Sequence, residues 1–161
     1  YLADNNENQY RRGVYIHWQR QFLHPMFRAF DAPTREECTA MRTVSNTPIA
    51  ALTLMNDPSY VEAAKGFAVR ILYEGGDTQS ERLIWAWQTA LNRSPEKEEL
   101  SVMLEFAENI IKNYKNDTKS AAELLNVGIL KLPENISMPD AAGWTNVALA
   151  LLNLSEVITR N

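Results

Sequence analysis

Two helix starts of the same chemical design lie ten residues apart, and they constrain the fold more than any other feature of the sequence. Thr47 and Asp57 are each followed by proline, Pro48 and Pro58. Short polar side chains accept hydrogen bonds from the free N–H groups of a helix start, and proline suits the first helical position because it has no N–H to satisfy. The sequence therefore predicts two helices that meet at a corner formed by Asn56 and Asp57.

Apolar residues at helical spacing predict further helices along the chain, and no segment shows the sustained alternation of a strand. We expect helices over residues 34–41, 48–55, 58–73, 80–91, 95–114, 118–126 and 141–154. A short extended segment is expected from Arg12, followed by a helix that His24-Pro25 stops after about Leu23, and then an irregular connection over residues 26–33. The sequence thus predicts an all-α fold, an irregular helical bundle of about six to seven helices with a loop-rich N-terminal third.

Composition indicates one globular domain. The chain has 161 residues and a mass of 18.3 kDa, with 45% apolar and 22% charged residues, so it can bury a core without metal or disulfide support. The net charge of −4 lacks the basic footprint that nucleic acid requires, and no run approaches the ~20 apolar residues of a membrane span. We expect residues 1–9 to be flexible and residues 10–161 to form a single helical domain, the C-terminal part of a larger protein.

Neither metal nor nucleophilic catalysis is predicted from the residues. His17 and His24, the two histidines, are seven positions apart, which on a helix is too far to hold one ion as histidines at i and i+4 do. Cys38 is the single cysteine and lies in no Cys-x-x-Cys motif. We therefore expect no metal site and no cofactor within this chain.

Arginines dominate the N-terminal part, where every basic residue before Lys65 is an arginine. The planar guanidinium group pairs bidentately with carboxylates and other anions. These arginines and nearby polar residues could form an anion-binding or polar cleft, with the candidates Arg11, Arg12, His17, His24, Asp31, Arg42, Asn46, Asn56 and Asp57. The interpretation that we favour is structural: the same side chains pair with carboxylates and helix ends, and hold irregular chain in place.

Several motifs carry a resemblance to a known family. They are Arg11–Tyr15, His24-Pro25, Phe30–Pro33, Cys38, Arg42, the block from Asn46 to Pro58, Ala90–Leu100 and Trp144–Glu156. From about Tyr10 to the C-terminus the chain resembles the C-terminal half of the planctomycete cytochrome-associated domain, domain of unknown function 1553. Three positions depart from the family pattern: Gly13 replaces serine, Asn92 replaces glycine and Val157 replaces phenylalanine.

The resemblance implies a context and no reaction. Such domains typically belong to large exported bacterial proteins that also carry a c-type cytochrome domain, often encoded near polysaccharide-degrading enzymes. It implies a periplasmic or cell-surface location, the missing N-terminal half of the same protein and a cytochrome domain as partners, and haem on a missing domain.

Three functions compete at this point. The leading hypothesis is a non-catalytic scaffold or interaction module, which predicts exposed apolar surface near residues 10–30. The second is part of an enzyme or electron-transfer site, in which the polar cleft acts on an acidic substrate or contacts a haem. The third is a carbohydrate-binding module that stacks sugars on Trp18 or Trp85.

Overall fold

The computed structural model describes residues 6–11, 13–17, 22–33, 38–41 and 47–158. Within these ranges the chain forms eight α-helices, two 3₁₀ turns (Glu7–Tyr10 and Gly13–Tyr15) and no strand. The α-helices are α1 (Pro25–Ala29), α2 (Pro48–Asn56), α3 (Pro58–Glu74), α4 (Gln79–Leu91), α5 (Lys97–Asn116), α6 (Thr118–Leu125), α7 (Met138–Leu152) and α8 (Ser155–Ile158). The prediction of an all-α fold with a loop-rich N-terminal third is confirmed.

Helix α7 forms the centre of the bundle. It packs against α3, α5 and α6 and also contacts α2, α4 and α8. Its only charged residue is Asp140, in the first turn, and apart from Asn146 the other residues of the helix are apolar or small. A helix that is apolar on all sides is stable only when other elements cover it. The core therefore gathers around Trp144, Val147, Ala148 and Leu151, which are all fully buried.

The two cap-proline starts form as predicted. Thr47 Oγ1 accepts a hydrogen bond from the Ala50 N–H at 3.1 Å, and Asp57 Oδ1 accepts one from the Ser59 N–H at 2.9 Å. Asp57 is both the C-cap of α2 and the N-cap of α3. The angle between these two helices is therefore set at a single residue.

His24-Pro25, which was predicted to stop a helix, begins one, α1. His24 Nδ1 accepts a hydrogen bond from the Met26 N–H at 3.3 Å, so the imidazole replaces the usual hydroxyl or carboxylate of a cap. The expected irregular connection after Pro25 thus starts with a helical turn. Gly13–Tyr15 forms a 3₁₀ turn where an extended segment was expected. Of the helix predicted to precede His24, residues 18–21 lie outside the described ranges.

Three other helix boundaries also differ from the prediction. α5 begins at Lys97 instead of after Ser94, because the Glu99 carboxylate accepts a hydrogen bond from the Glu96 N–H at 2.7 Å. α7 begins at Met138 and includes Pro139, which was expected in a loop, since proline is tolerated in the first helical turn. Of the helix expected over 34–41, residues 38–41 are not helical and residues 34–37 lie outside the described ranges.

None of the described helices is long and apolar enough to cross a membrane.

A glycine allows α7 to approach α5 closely. A Cβ at Gly143 would overlap Ile111 Cγ1 and lie 3.3 Å from Ile111 Cα. Gly66 in α3 offers a contrast, because a Cβ there would meet only Leu130 Cδ2, at an ordinary 3.5 Å. The two helical glycines therefore have different reasons to be glycine.

We expect Gly143→Ala to lower the free energy of unfolding by about 1–2 kcal/mol, because overpacking costs about 1–3 kcal/mol while alanine recovers up to about 1 kcal/mol of helix propensity. Gly66→Ala should leave the free energy of unfolding unchanged or raise it by about 0.4–1 kcal/mol. Urea denaturation followed by circular dichroism measures both. Equal effects of the two substitutions would contradict the proposed close packing at Gly143.

Candidate functional site

The predicted polar cleft is described in part. Arg12, Arg42 and Asn46 lie outside the described residues, so their contribution stays a prediction. Arg11 and His17 are exposed, and Asp31 follows α1 with a positive φ of 52°. The cleft as a whole stays a prediction.

Three members of the predicted cleft bind backbone close to themselves in the chain. His24 and Asp57 cap α1 and α3, and the Asn56 side-chain amide donates a hydrogen bond to the Leu52 carbonyl at 2.8 Å. These contacts agree with the structural interpretation, in which polar side chains form hydrogen bonds with backbone groups at helix ends.

The described residues provide no site for the sugar-stacking hypothesis or for the metal hypothesis. The Arg70 guanidinium lies 5.3 Å from the ring centroid of Trp85, and the Phe67 ring packs 6.1 Å from it. One face of Trp85 is therefore covered by a cation, and Trp18 lies outside the described residues. In the described part of the chain, no three His, Cys, Asp or Glu side chains are grouped so as to hold a metal ion.

The structure reveals a polar cluster that sequence reasoning missed. Glu62 and Lys65 of α3 are only 2% and 1% exposed. Lys65 Nζ donates hydrogen bonds to the carbonyl groups of Leu125 at 3.0 Å, Val127 at 2.6 Å and Leu130 at 2.7 Å. An ammonium group has three donors and no acceptor, so these three carbonyls use its full capacity. We call Glu62, Lys65 and the backbone of residues 125–130 the α3 clamp.

Glu62 holds the N–H groups of the same loop. Its Oε1 accepts hydrogen bonds from the Ile129 N–H at 2.7 Å and from the Leu130 N–H. Gly128 has a φ of 79°, and a Cβ there would overlap the Glu62 carboxylate. Glycine at this position thus serves both the left-handed backbone and the close approach of the carboxylate.

Burial acts in opposite directions on the pKa values of the two charged groups of the clamp. Burial by itself raises the pKa of Glu62, but hydrogen bonds from Leu130, Tyr10 and Ile129 and the charge of Lys65 outweigh it, and the pKa is lowered. Burial lowers the pKa of Lys65, and the charge of Glu62 offsets this in part. Each group therefore favours the charged form of the other, as a buried pair must.

A second cluster joins the α4–α5 connection to α8. Arg93 binds Glu99 bidentately at 2.8 and 2.7 Å, and Nε and Nη2 of Arg93 bind Glu156 at 3.1 and 2.9 Å. Its guanidinium group also lies 5.6 Å from the ring centroid of Trp87. Asn92 caps α4 with a φ of 56°, a conformation that asparagine tolerates. The arrangement holds two chain segments together and leaves Arg93 fully engaged.

Neither cluster has the arrangement of a catalytic site. In the α3 clamp both charged side chains are nearly fully buried and bind backbone groups. In the Arg93 cluster the carboxylates are bound to a guanidinium group, which holds the pKa of Glu99 down at about 2. A general base needs a pKa near the working pH. In both clusters the charged side chains instead hold loops and connecting segments in place.

Lys65→Met should lower the free energy of unfolding by at least about 1–3 kcal/mol, because three carbonyls lose their donor while methionine keeps most of the volume. Lys112→Met, on the exposed side of α5, is the matched control and should stay within about 0.5 kcal/mol of the wild type. Chemical denaturation provides the measurement. A Lys65→Met protein as stable as the control would show that the clamp contributes nothing.

Glu99 should make the protein sensitive to acid. The hydrogen bonds from Arg93 lower its pKa from 4.5 to about 2, so its contribution to stability is complete above pH 4.5 and is lost as the pH falls towards 2. In Glu99→Gln the thermal midpoint should therefore change less between pH 4.5 and 2 than in the wild type. Glu105→Gln, at an exposed position of the same helix, should keep the wild-type slope. An unchanged slope in Glu99→Gln would refute this role.

Comparison with known proteins identifies the family. A family model described as "PSD1: Protein of unknown function (DUF1553)" matches residues 1–107, about two thirds of the chain. The match begins before Tyr10 and ends within α5, so the resemblance noted for Trp144–Glu156 lies outside the matched residues. Comparisons with curated proteins and with solved structures give no match. The chain belongs to the DUF1553 family of PSD1 proteins.

Proposed function

We propose that the chain is a non-catalytic helical scaffold or interaction module, which packs through α2 and the N-terminal segment against another part of a larger protein. The observation that carries the proposal is the exposed apolar face of α2. Joints such as the α3 clamp and the Arg93 cluster, which occupy their charged groups in holding the fold, agree with a structural role.

Helix α2 has the composition of a buried helix but is largely exposed. It contains no charged residue, and Ala50 is its one buried position. Ile49, Leu52 and Met55 lie three residues apart on one face and are 65%, 60% and 48% exposed. A helix that is apolar on all sides is normally covered on all sides. This face therefore has the character of an interface that another element covers.

The segments before α2 add to the exposed apolar surface. Among the described residues, fourteen large apolar side chains are exposed, and eight of them lie at or before Met55. Those that precede α2 are Tyr10, Val14, Tyr15, Phe22 and Met41. Because this part is about a third of the chain, the exposed apolar residues are concentrated there. The scaffold hypothesis expects exposure of this kind near residues 10–30.

The proposed occupant is the N-terminal half of the same domain, encoded upstream in the same reading frame. The family resemblance is the support for this choice, since the motifs of this chain resemble those of the C-terminal half of the domain. On the same ground we propose an exported protein of the periplasm or cell surface, in a cytochrome-linked or polysaccharide-processing context. Haem would then be carried by a neighbouring c-type cytochrome domain.

Leu52→Asp tests the proposal. If the upstream polypeptide covers α2, it should bind the present chain in isothermal titration calorimetry, and Leu52→Asp should weaken binding at least about tenfold, because a charge would be buried in an apolar interface. Val102→Asp is the matched control, since Val102 of α5 is 65% exposed and belongs to another helix. It should bind as the wild type does.

Two outcomes would contradict the proposal. Absence of binding by the upstream polypeptide would refute the choice of occupant. Equal weakening by Leu52→Asp and Val102→Asp would refute the role of the α2 face. Circular dichroism of both variants checks that each remains folded, as expected for substitutions at exposed positions.

A further inference from the structure

The carboxylate of Glu62 is shared by two segments that are far apart in the chain. It binds the loop between α6 and α7 through the N–H groups of Ile129 and Leu130, and it binds the N-terminal 3₁₀ turn through side chains of Gln9 and Tyr10. We propose that Glu62 couples these two segments, so that release of either one loosens the other. This inference concerns contacts within the chain and does not rest on the proposed docking of α2.

Four donors share the carboxylate of Glu62, and three of them bind the same oxygen. Oε1 accepts from the Tyr10 hydroxyl at 2.9 Å as well as from the two loop N–H groups, and Oε2 accepts from Gln9 Nε2 at 3.2 Å. Each carboxylate oxygen has about two lone-pair sites, so the Tyr10 hydroxyl and the two loop N–H groups crowd the same oxygen. Loss of the N-terminal donors would open this buried group to water, which then competes with the loop N–H groups.

On the loop side, the shape of the backbone depends on α3. Lys65 holds three carbonyls of residues 125–130 while Glu62 holds two N–H groups. Gly128, Ile129 and Leu130 are themselves exposed, so apolar burial contributes little to this part of the loop. The loop conformation therefore depends on hydrogen bonds to two side chains, and a weaker Glu62 contact should be measurable there.

On the N-terminal side, the other described hydrogen bonds of the turn are local. The Asn6 side chain caps the turn, and the Gln9 and Arg11 N–H groups donate to the carbonyls of Asn6 and Asn8 at 3.1 Å. A single 3₁₀ turn is marginal in water by itself. Its long-range anchors among the described contacts are the two bonds to Glu62. The turn should therefore be ordered only while that carboxylate is in place.

The coupling gives the N-terminal turn an influence on a surface groove. An open groove of about 380 Å³ lies along the loop and the start of α7, and its lining includes Ile129, Leu130 and Met138. Because Glu62 binds the N–H groups of two lining residues, displacement of Tyr10 changes the groove that they form. Binding free energies are reciprocal, so a change at the groove acts equally on the N-terminal turn.

Amide hydrogen exchange detected by NMR tests the coupling. In the double variant Gln9→Ala, Tyr10→Phe we expect exchange at the Ile129 and Leu130 N–H groups to accelerate about three- to tenfold, as loss of one or two net hydrogen bonds implies. Tyr15→Phe is the matched control, because Tyr15 is an exposed tyrosine of the adjacent 3₁₀ turn. It should leave exchange at Ile129 and Leu130 unchanged. Unchanged exchange in the double variant overturns the coupling.

The reciprocal experiment perturbs the loop. Gly128→Ala strains a left-handed backbone position and displaces the Glu62 carboxylate, so exchange at the Gln9 and Arg11 N–H groups should accelerate. Fast exchange in the loop with wild-type exchange at Gln9 and Arg11 would overturn the proposal. If Gly128→Ala fails to fold, the double variant decides the question alone, because its substitutions lie on an exposed turn.

Discussion

The fold depends on the burial of one apolar helix. α7 is nearly free of charge, and its stability in water requires that α3, α5 and α6 cover it. Trp144 and Leu151 fill the centre, while Gly143 lets α5 approach to contact distance. Once these helices surround α7, the remaining segments can only attach to the outside of the bundle. The positions of the exposed α2 face and of both polar clusters follow from this arrangement.

Buried polar side chains hold the parts of the chain that lack regular structure. Lys65 and Glu62 supply the hydrogen-bond partners that the backbone of residues 125–130 would otherwise lack. Arg93 joins the connection before α5 to the last helix through two carboxylates. In each case the charge is used for attachment. This use of charge supports the scaffold role that we propose.

The residues that match the family model do not include the helix at the centre of the fold. The family match ends at residue 107, within α5, so it includes α2, α3 and α4 but not the central helix α7. The matched helices bury Val61, Ala64, Leu83 and related residues against a helix that lies outside the match. The matched segment therefore obtains its core from the residues that follow it. The exposed face of α2 lies within the match.

The sequence by itself determined the six helices α2 to α7, because their signals are local. Caps such as Thr47 and Asp57 act on N–H groups two or three residues away, and the apolar stripes repeat within a single helix. His24 shows the limit of such signals, since an imidazole can also cap a helix. Only the tertiary structure decided that Lys65 is buried, because its acceptors lie at least 60 residues along the chain. The one indication of burial in the sequence is that Lys65 lies four residues after Val61, on the buried side of α3. A lysine at such a position is nevertheless expected to be exposed unless a loop supplies carbonyl acceptors for it.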